Sequence, residues 1–401
     1  MKAQNDVKIH VPAGFTFAAT AAGIKASGNL DLAYAEAANG ADAAAVFTKN
    51  RVVAAPVEIG REHLKRTGGR VRALIINSGN ANCATGEAGC RACIRVCQET
   101  GSLLHISPYD VFPSSTGIIG VPLPVEKIAG ALPQLLAAQQ TGEEGLRQFA
   151  RAIMTTDTRP KIASVALSVG DRMVNVAGVA KGAGMIHPQL ATMLVYIFTD
   201  LQARAVELKP LLRKSCDRTF NCISVDHDTS TNDTVLLLAS GASGVRLRIV
   251  RKQFAEALTL VCQSLSEQIV SDGEGVKHVV RLYVEQARNR DEALTIARAI
   301  SGSPLVKTAW AGCDPNWGRI LAAIGYSGVR LDPTRVNIFI GGQQVCRKGV
   351  AHPFDQKSAH EYMSQPSYDI RVQLGRGRAS LRYLTCDLTK YYVEINAEYS
   401  T

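Results

Sequence analysis

Residues 181–194 read KGAGMIHPQLATML, and residues 191–200 continue as ATMLVYIFTD. Gly182, Gly184 and Pro188 favour a constrained loop, and the apolar run behind them has the length and composition of a buried strand. Thr192 stands where loop meets strand. One reading is plain: a β-branched residue with good strand propensity. The other is chemical. If the Thr192 hydroxyl attacks the carbonyl of Ala191, an N→O acyl shift and hydrolysis cut the chain, leaving Thr192 with a free α-amine beside its own hydroxyl. An α-amine titrates at about 7.7–8.0 and can act as general base. Nucleophile and base then sit in one residue.

Outward from this stretch, strands and helices alternate. Ala43–Thr48, Val53–Ile59 and Val71–Asn77 read as strands, and Glu87–Thr100 as a helix. VFPSSTGIIG (111–120) reads as a glycine-bounded loop, Val125–Gln139 as a helix, and Leu146–Met154 as the end of another, running into TTDT (155–158). Ile162–Val169 and Arg172–Val179 form a hairpin turned at Gly170-Asp171. Ala203–Asp217 and Gln253–Ser271 are helical, Thr234–Ser240 and Val279–Gln286 strand-like, Arg290–Ser301 helical, and Tyr368–Asn396 β-rich. This alternation predicts a layered α/β protein. A break is expected near residues 280–285.

The 401 residues carry a formal net charge of +10, are 46% hydrophobic and 20% charged, and so lie far from the disordered regime. No apolar run nears the about 18 residues that span a bilayer. The first residues, MKAQNDVKIHVPAG, have no signal-peptide h-region, so a cytoplasmic protein with reduced thiols is expected. Basic residues are dispersed and aromatics make up only 6%, which argues against nucleic acid and for a solvated basic surface that attracts anionic substrates.

Metal-like spacings have simpler explanations. Cys90, Cys93 and Cys97 fall on one helical stripe, as small buried hydrophobes do. Cys83 precedes them. Asp226, Asp228 and Asp233 in SVDHDTSTNDT (224–234) suit a turn network as well as a cation. No metal is expected. His187, His227 and His278 have no Ser or Cys partner at a recognised spacing. The remaining polar, glycine-rich stretches are PSSTGIIG, TTDT and SDGEG.

Eight strings resemble, in order, the glutamate N-acetyltransferase (ornithine acetyltransferase) family of arginine biosynthesis. They are GFTFAATAAGIKASGNLDLA (14–33), INSGNANCATG (76–86), SSTGIIG (114–120), IMTTDT (153–158), SVDHDTSTNDT, DGEG (272–275), CDPNWGRILAAIG (313–325) and CDLTKYYVEINAEYST (386–401), with KGAGMIHPQLATML as the cleavage segment. The resemblance implies an αββα sandwich of the N-terminal-nucleophile type shared with β-aminopeptidases, with a smaller α/β C-terminal portion. It implies cleavage between Ala191 and Thr192 into chains 1–191 and 192–401. Residues 192–282 would complete the core, and 283–401 would form the smaller region whose tail returns to the site.

The implied reaction moves acetyl from N2-acetylornithine to glutamate through an acetyl-Thr192 ester. Thr116 and Gly117 would form the oxyanion hole, where one preorganised donor can contribute about 3 kcal/mol. Thr155, Lys181, Thr192, Glu274, Asn396 and Thr401 would contact substrate. Lys181 suits a carboxylate or, by like-charge repulsion, a lowered Thr192 amine pKa; Glu274 suits a substrate cation, and Thr155 and Asn396 neutral hydrogen bonds. No cofactor is implied. Family members differ in whether acetyl-CoA also donates, and the sequence leaves both open. The partners implied are the chain's own two fragments, as an α2β2 heterotetramer. One departure stands out: Val276-Lys277-His278 follow DGEG where the family has a small residue, Thr and Lys. Two other readings are a β-aminopeptidase-like hydrolase, passing the acyl group to water, and an uncut basic binding protein.

Overall fold

Alternation of side chains along the strands decides the layering. The computed structural model describes residues 8–186 and 193–398. The first part holds β1 (Thr16–Thr20), β2 (Leu32–Phe47), α1 (Ala55–Arg66), β3 (Arg70–Asn80), α2 (Gly86–Leu104), β4 (Val111–Ile118), α3 (Val125–Ala137), α4 (Gly142–Ala152), β5 (Lys161–Val169) and β6 (Arg172–Lys181). The second holds β7 (Leu194–Thr199), α5 (Ala205–Arg218), β8 (Thr234–Ala239), α6 (Leu247–Ser271), β9 (Val279–Ala287), α7 (Arg290–Ser301), α8 (Pro304–Ala311) and α9 (Trp317–Gly325). It ends with β10 (Asn337–Ile340), β11 (Gln343–Arg347), β12 (Val350–Ala351), α10 (Gln356–Met363), β13 (Ser367–Gln373), β14 (Ala379–Cys386) and α11 (Lys390–Glu398).

Strands β1–β8 form one sheet in the order β4-β3-β2-β8-β7-β6-β5, with β1 also paired to β2. The long β2 folds this sheet into two layers. Its first half, Leu32–Glu36, pairs with β1 and β3. Its second half, Asp42–Phe47, pairs with β8 after a register shift. Phe17, Ala33, Leu74 and Ile76 of the first layer then face Leu194, Tyr196, Phe198 and Leu236 of the second. The Phe17 and Phe198 rings meet edge-on with centroids 5.0 Å apart. The opposite face of the first layer (Leu32, Tyr34, Ile75) packs on α2 and α3 through Val96, Cys97, Ile128 and Leu132. The opposite face of the second (Val176, Val195, Ile197, Leu237) packs on α5 and α6 through Leu212, Phe254, Leu258 and Val261. The result is the αββα sandwich.

Strands β9–β14 form a second sheet in the order β12-β11-β10-β13-β9-β14. It packs on α7, α8 and α9 through Ile296, Ile300, Trp310 and Ile320. Because β9 runs from Val279 to Ala287, the boundary expected after residue 282 falls inside a strand.

Three local expectations are corrected. Residues 55–66 are helical where Val53–Ile59 reads as a strand: Pro56 sits in the first helical turn, where a missing N–H costs nothing, and Glu58 favours the same end. The expected loop 111–120 is mostly β4, an edge strand parallel to β3, where Pro113 is tolerated. Lys390–Glu398 is α11 and not a strand. Cys93 and Cys97 are buried in α2, with Cys90 half-buried, as the stripe requires. Among the described residues, no helix is long and apolar enough to cross a membrane.

Candidate functional site

A cavity of about 210 Å³ opens where the ends of β4 and β6 meet the loops after α4 and α6. Thr116, Gly117, Thr155, Lys181, Glu274 and Asn396 all line it. Ala191, Thr192, Thr401 and His187 lie outside the described residues.

The Thr116–Gly117 corner follows from β4 running parallel to β3. Gly117 has φ +132°, and a Cβ there would stand 2.3 Å from the carbonyl carbon of Gly79. Only glycine fits so near the neighbouring backbone. Asn232 braces this corner, donating to the carbonyls of Ala81 and Ser115 at 2.6 and 2.9 Å.

Lys181 ends β6, buried, and its ammonium donates to the Thr116 hydroxyl oxygen at 3.3 Å. Burial pushes its pKa below the ordinary lysine range. Asp157, Asp233 and Glu274 oppose that shift, and Lys161 adds to it. Asp157, in TTDT, accepts from the Gly182 and Thr155 amides at 2.7 and 3.0 Å. Burial alone would raise its pKa, yet Lys161, Lys181 and the hydrogen bond from the Gly182 amide hold it down to about 2.

The other end of the cavity is acidic. The Glu274 amide donates to the Ala183 carbonyl at 3.1 Å. Its carboxylate lies against Gly184, where a Cβ would come within 2.3 Å of it. Asn396 donates to that carboxylate at 2.9 Å. Asp226 accepts from the amides of Met185 and Ile186 at 2.5 and 2.8 Å, and its pKa is pushed up to about 6 by burial. The Tyr392 hydroxyl donates to Asp226 at 3.3 Å, and its own pKa is raised by burial and by the charges of Asp226 and Glu274. Asp233 accepts from the Met193 amide at 2.6 Å. In SVDHDTSTNDT, then, Asp226 and Asp233 hold backbone amides, as in a turn network.

Sequence reasoning missed Tyr392, and with it the helical spacing that puts Tyr392 and Asn396 on one face of α11. It also missed Lys161, Asp157 and Asp272. In the departing segment Val276-Lys277-His278, Lys277 is exposed, while His278 Nδ1 lies 2.8 Å from the Gln365 carbonyl, on the side of the second sheet.

A site with a buried ammonium and hydroxyl at one end and carboxylates at the other suits a small zwitterion. The comparisons agree with a metabolic enzyme. The chain is 44% identical over 403 residues to the arginine biosynthesis bifunctional protein ArgJ of Methylococcus capsulatus, covering 99% of this chain and 98% of that one. It is 44% identical over 393 residues to the protein of the same name from Thermus thermophilus, covering 98% and 100%. A crystal structure of the Bacillus halodurans ArgJ protein aligns at 38% identity and a TM-score of 0.49, over 51% of this chain and 98% of that one. The ArgJ family matches residues 16–401, and the chain belongs to that family.

Proposed function

We propose that the chain cuts itself between Ala191 and Thr192, and that Thr192 then carries acetyl from N2-acetylornithine to glutamate. Membership of the ArgJ family makes it an acyltransferase of arginine biosynthesis. The observation that carries the finer reading is the single cavity in which Thr116, Gly117 and Lys181 face Glu274 and Asn396. Met193, the residue after Thr192, donates its amide to Asp233 at 2.6 Å.

In this reading the Thr192 α-amine takes the proton of its own hydroxyl, and the oxygen attacks the acetyl carbonyl. The Thr116 hydroxyl and the Gly117 N–H stabilise the oxyanion. The C–N bond breaks, ornithine leaves with the proton, and the acetyl group stays as an ester. The glutamate amine then attacks that ester and frees Thr192. Lys181 pairs with the α-carboxylate that donor and acceptor share. Glu274 receives the donor's side-chain ammonium, with Thr155, Asn396 and Thr401 completing the contacts. The relatives' description as bifunctional extends the proposal to acetyl-CoA as a second donor. The assembly proposed is α2β2, in the cytoplasm.

Intact mass under denaturing conditions, with acetyl transfer measured in parallel, tests this. Two chains of residues 1–191 and 192–401, and N-acetylglutamate formed from N2-acetylornithine, are expected. Thr192→Ala should give one inactive 42.9 kDa chain. An active Thr192→Ala protein, or acetyl passing only to water, contradicts the proposal.

A further inference from the structure

Three distant stretches supply the two charged ends of the cavity, and one buried ion cluster joins them. Lys161, the first residue of β5, is fully buried. Its ammonium donates to Asp157 Oδ1 and Asp272 Oδ2, both at 2.6 Å. On one side Asp157 holds the amides of Thr155 and Gly182, next to Lys181. On the other, Asp272 accepts from the Thr158 amide at 3.1 Å and from the Thr158 hydroxyl. Glu274 follows two residues later, its amide tied back to Ala183. From Lys181 to the half-buried Glu274 the path thus runs through the buried Asp157, Lys161 and Asp272.

Stability alone explains such a cluster poorly. Charges taken out of water lose hydration that their mutual attraction only roughly restores, and apolar replacements of similar volume are often neutral. What an ion cluster does supply is fixed geometry: an ammonium between two carboxylates, with their remaining lone pairs committed to backbone amides, has one low-energy arrangement.

We propose that Asp157, Lys161 and Asp272 are positioning residues that set the distance between the Lys181 ammonium and the Glu274 carboxylate. The site thereby selects a donor by the number of methylenes between its α-carboxylate and its side-chain ammonium. This rests on the acetyltransferase reading above. The selected class is a short α-acylamino acid with a terminal amine. A donor one methylene longer keeps both charged groups and misplaces one of them, which in a rigid site costs about 10- to 200-fold.

The test compares kcat/KM for Nα-acetylornithine and Nα-acetyllysine, with glutamate as acceptor, on protein whose cleavage has been verified by mass. Wild type is expected to favour the ornithine compound at least tenfold. Lys161→Met takes the shared ammonium from two buried carboxylates and can fail to fold, so the decisive variant is Asp157→Asn/Lys161→Met/Asp272→Asn, which removes the charges of the cluster together. Because it also takes Asp157 from Lys181, the ratio between the two donors, and not KM alone, is the deciding readout. That variant should keep a cooperative melting transition, raise KM for N-acetylornithine at least tenfold, and discriminate less than threefold. A folded triple variant with wild-type KM and wild-type discrimination overturns the positioning role, as does a wild type that does not discriminate. Wild-type protein that moves no acetyl from either donor overturns the function reading itself. A cluster that only stabilises the fold would lower Tm and leave the ratio unchanged.

Discussion

The Lys181 ammonium and the Thr116 hydroxyl oxygen lie 3.3 Å apart, both side chains buried. Because Thr116 accepts from Lys181, its own O–H is left to donate elsewhere, as an oxyanion donor requires. Lys181→Met removes both this contact and the proposed partner of the substrate carboxylate. We expect kcat/KM for N-acetylornithine to fall about 10- to 100-fold, the equivalent of about 1.5–3 kcal/mol for a hydrogen bond to a charged group. Steady-state kinetics within twofold of wild type would contradict the assignment.

The charge on Lys181 depends on its neighbours. Asp157, Asp233 and Glu274 favour the ammonium, Lys161 opposes it, and Lys25 is also near enough to interact. Asp157→Asn removes the strongest of the favourable charges, so the Lys181 pKa drops further. If the ammonium is the form that binds carboxylate, the alkaline limb of kcat/KM moves to lower pH, by about one unit. A pH profile with an unmoved or rising limb would exclude this coupling.

Asp226 should make stability fall as pH rises from about 4 to 6. Its pKa in the folded chain, about 6, is above the ordinary carboxylate value, so the native state binds the extra proton in that window. Asp226→Asn lacks this dependence. The difference in Tm, wild type minus variant, should decline by about 5 °C across the window. Thermal melts at pH 4, 5, 6 and 7 check the sign, and a flat difference would remove Asp226 from the account.

Both flanks of residues 187–192 are held by one loop: Met185 and Ile186 by Asp226, Met193 by Asp233. If Thr192 must be presented to Ala191, losing the Met193 contact slows cleavage. We expect Asp233→Ala to slow processing at least tenfold, and Asp233→Asn, which keeps an acceptor oxygen, to process near the wild-type rate. A time course of chain cleavage on denaturing gels decides between them. Equal rates in all three proteins would show that the contact plays no part.

Gly117→Ala forces a Cβ to within 2.3 Å of the Gly79 carbonyl carbon at a φ of +132°. The strands must part or Gly117 must turn, and either moves the N–H proposed for the oxyanion. We expect transfer to fall by at least 100-fold, on the scale of losing one oxyanion donor. Retention of a tenth or more of the wild-type kcat would show that the Gly117 N–H is not needed.

Much of the candidate site was legible along the chain, because its lining lies in short contiguous strings whose composition is unlike packing sequence. Thr116-Gly117, Lys181 and Glu274 each stand in a polar, glycine-rich stretch, and the order of eight strings along the chain points to one family. The layering was legible for a related reason: in β7 and β8 nearly every residue is apolar, as strands buried on both faces must be. Local reading failed where tertiary context overrides propensity. β4 is a strand despite Pro113 because β3 pairs it at the sheet edge. α11 is a helix with no buried residue, and the contacts of Tyr392 and Asn396 with Asp226 and Glu274 tie it to the site. The Asp157–Lys161–Asp272 cluster was the least visible of all. Lys161 and Asp272 are 111 residues apart, and nothing in the sequence around either charge marks it as buried. Sequence alone marked which groups are candidates for chemistry and which element faces are apolar, since both are properties of local composition. The distances between those groups belong to the tertiary structure, because they are set by contacts that exist only once the sheet has folded over on β2.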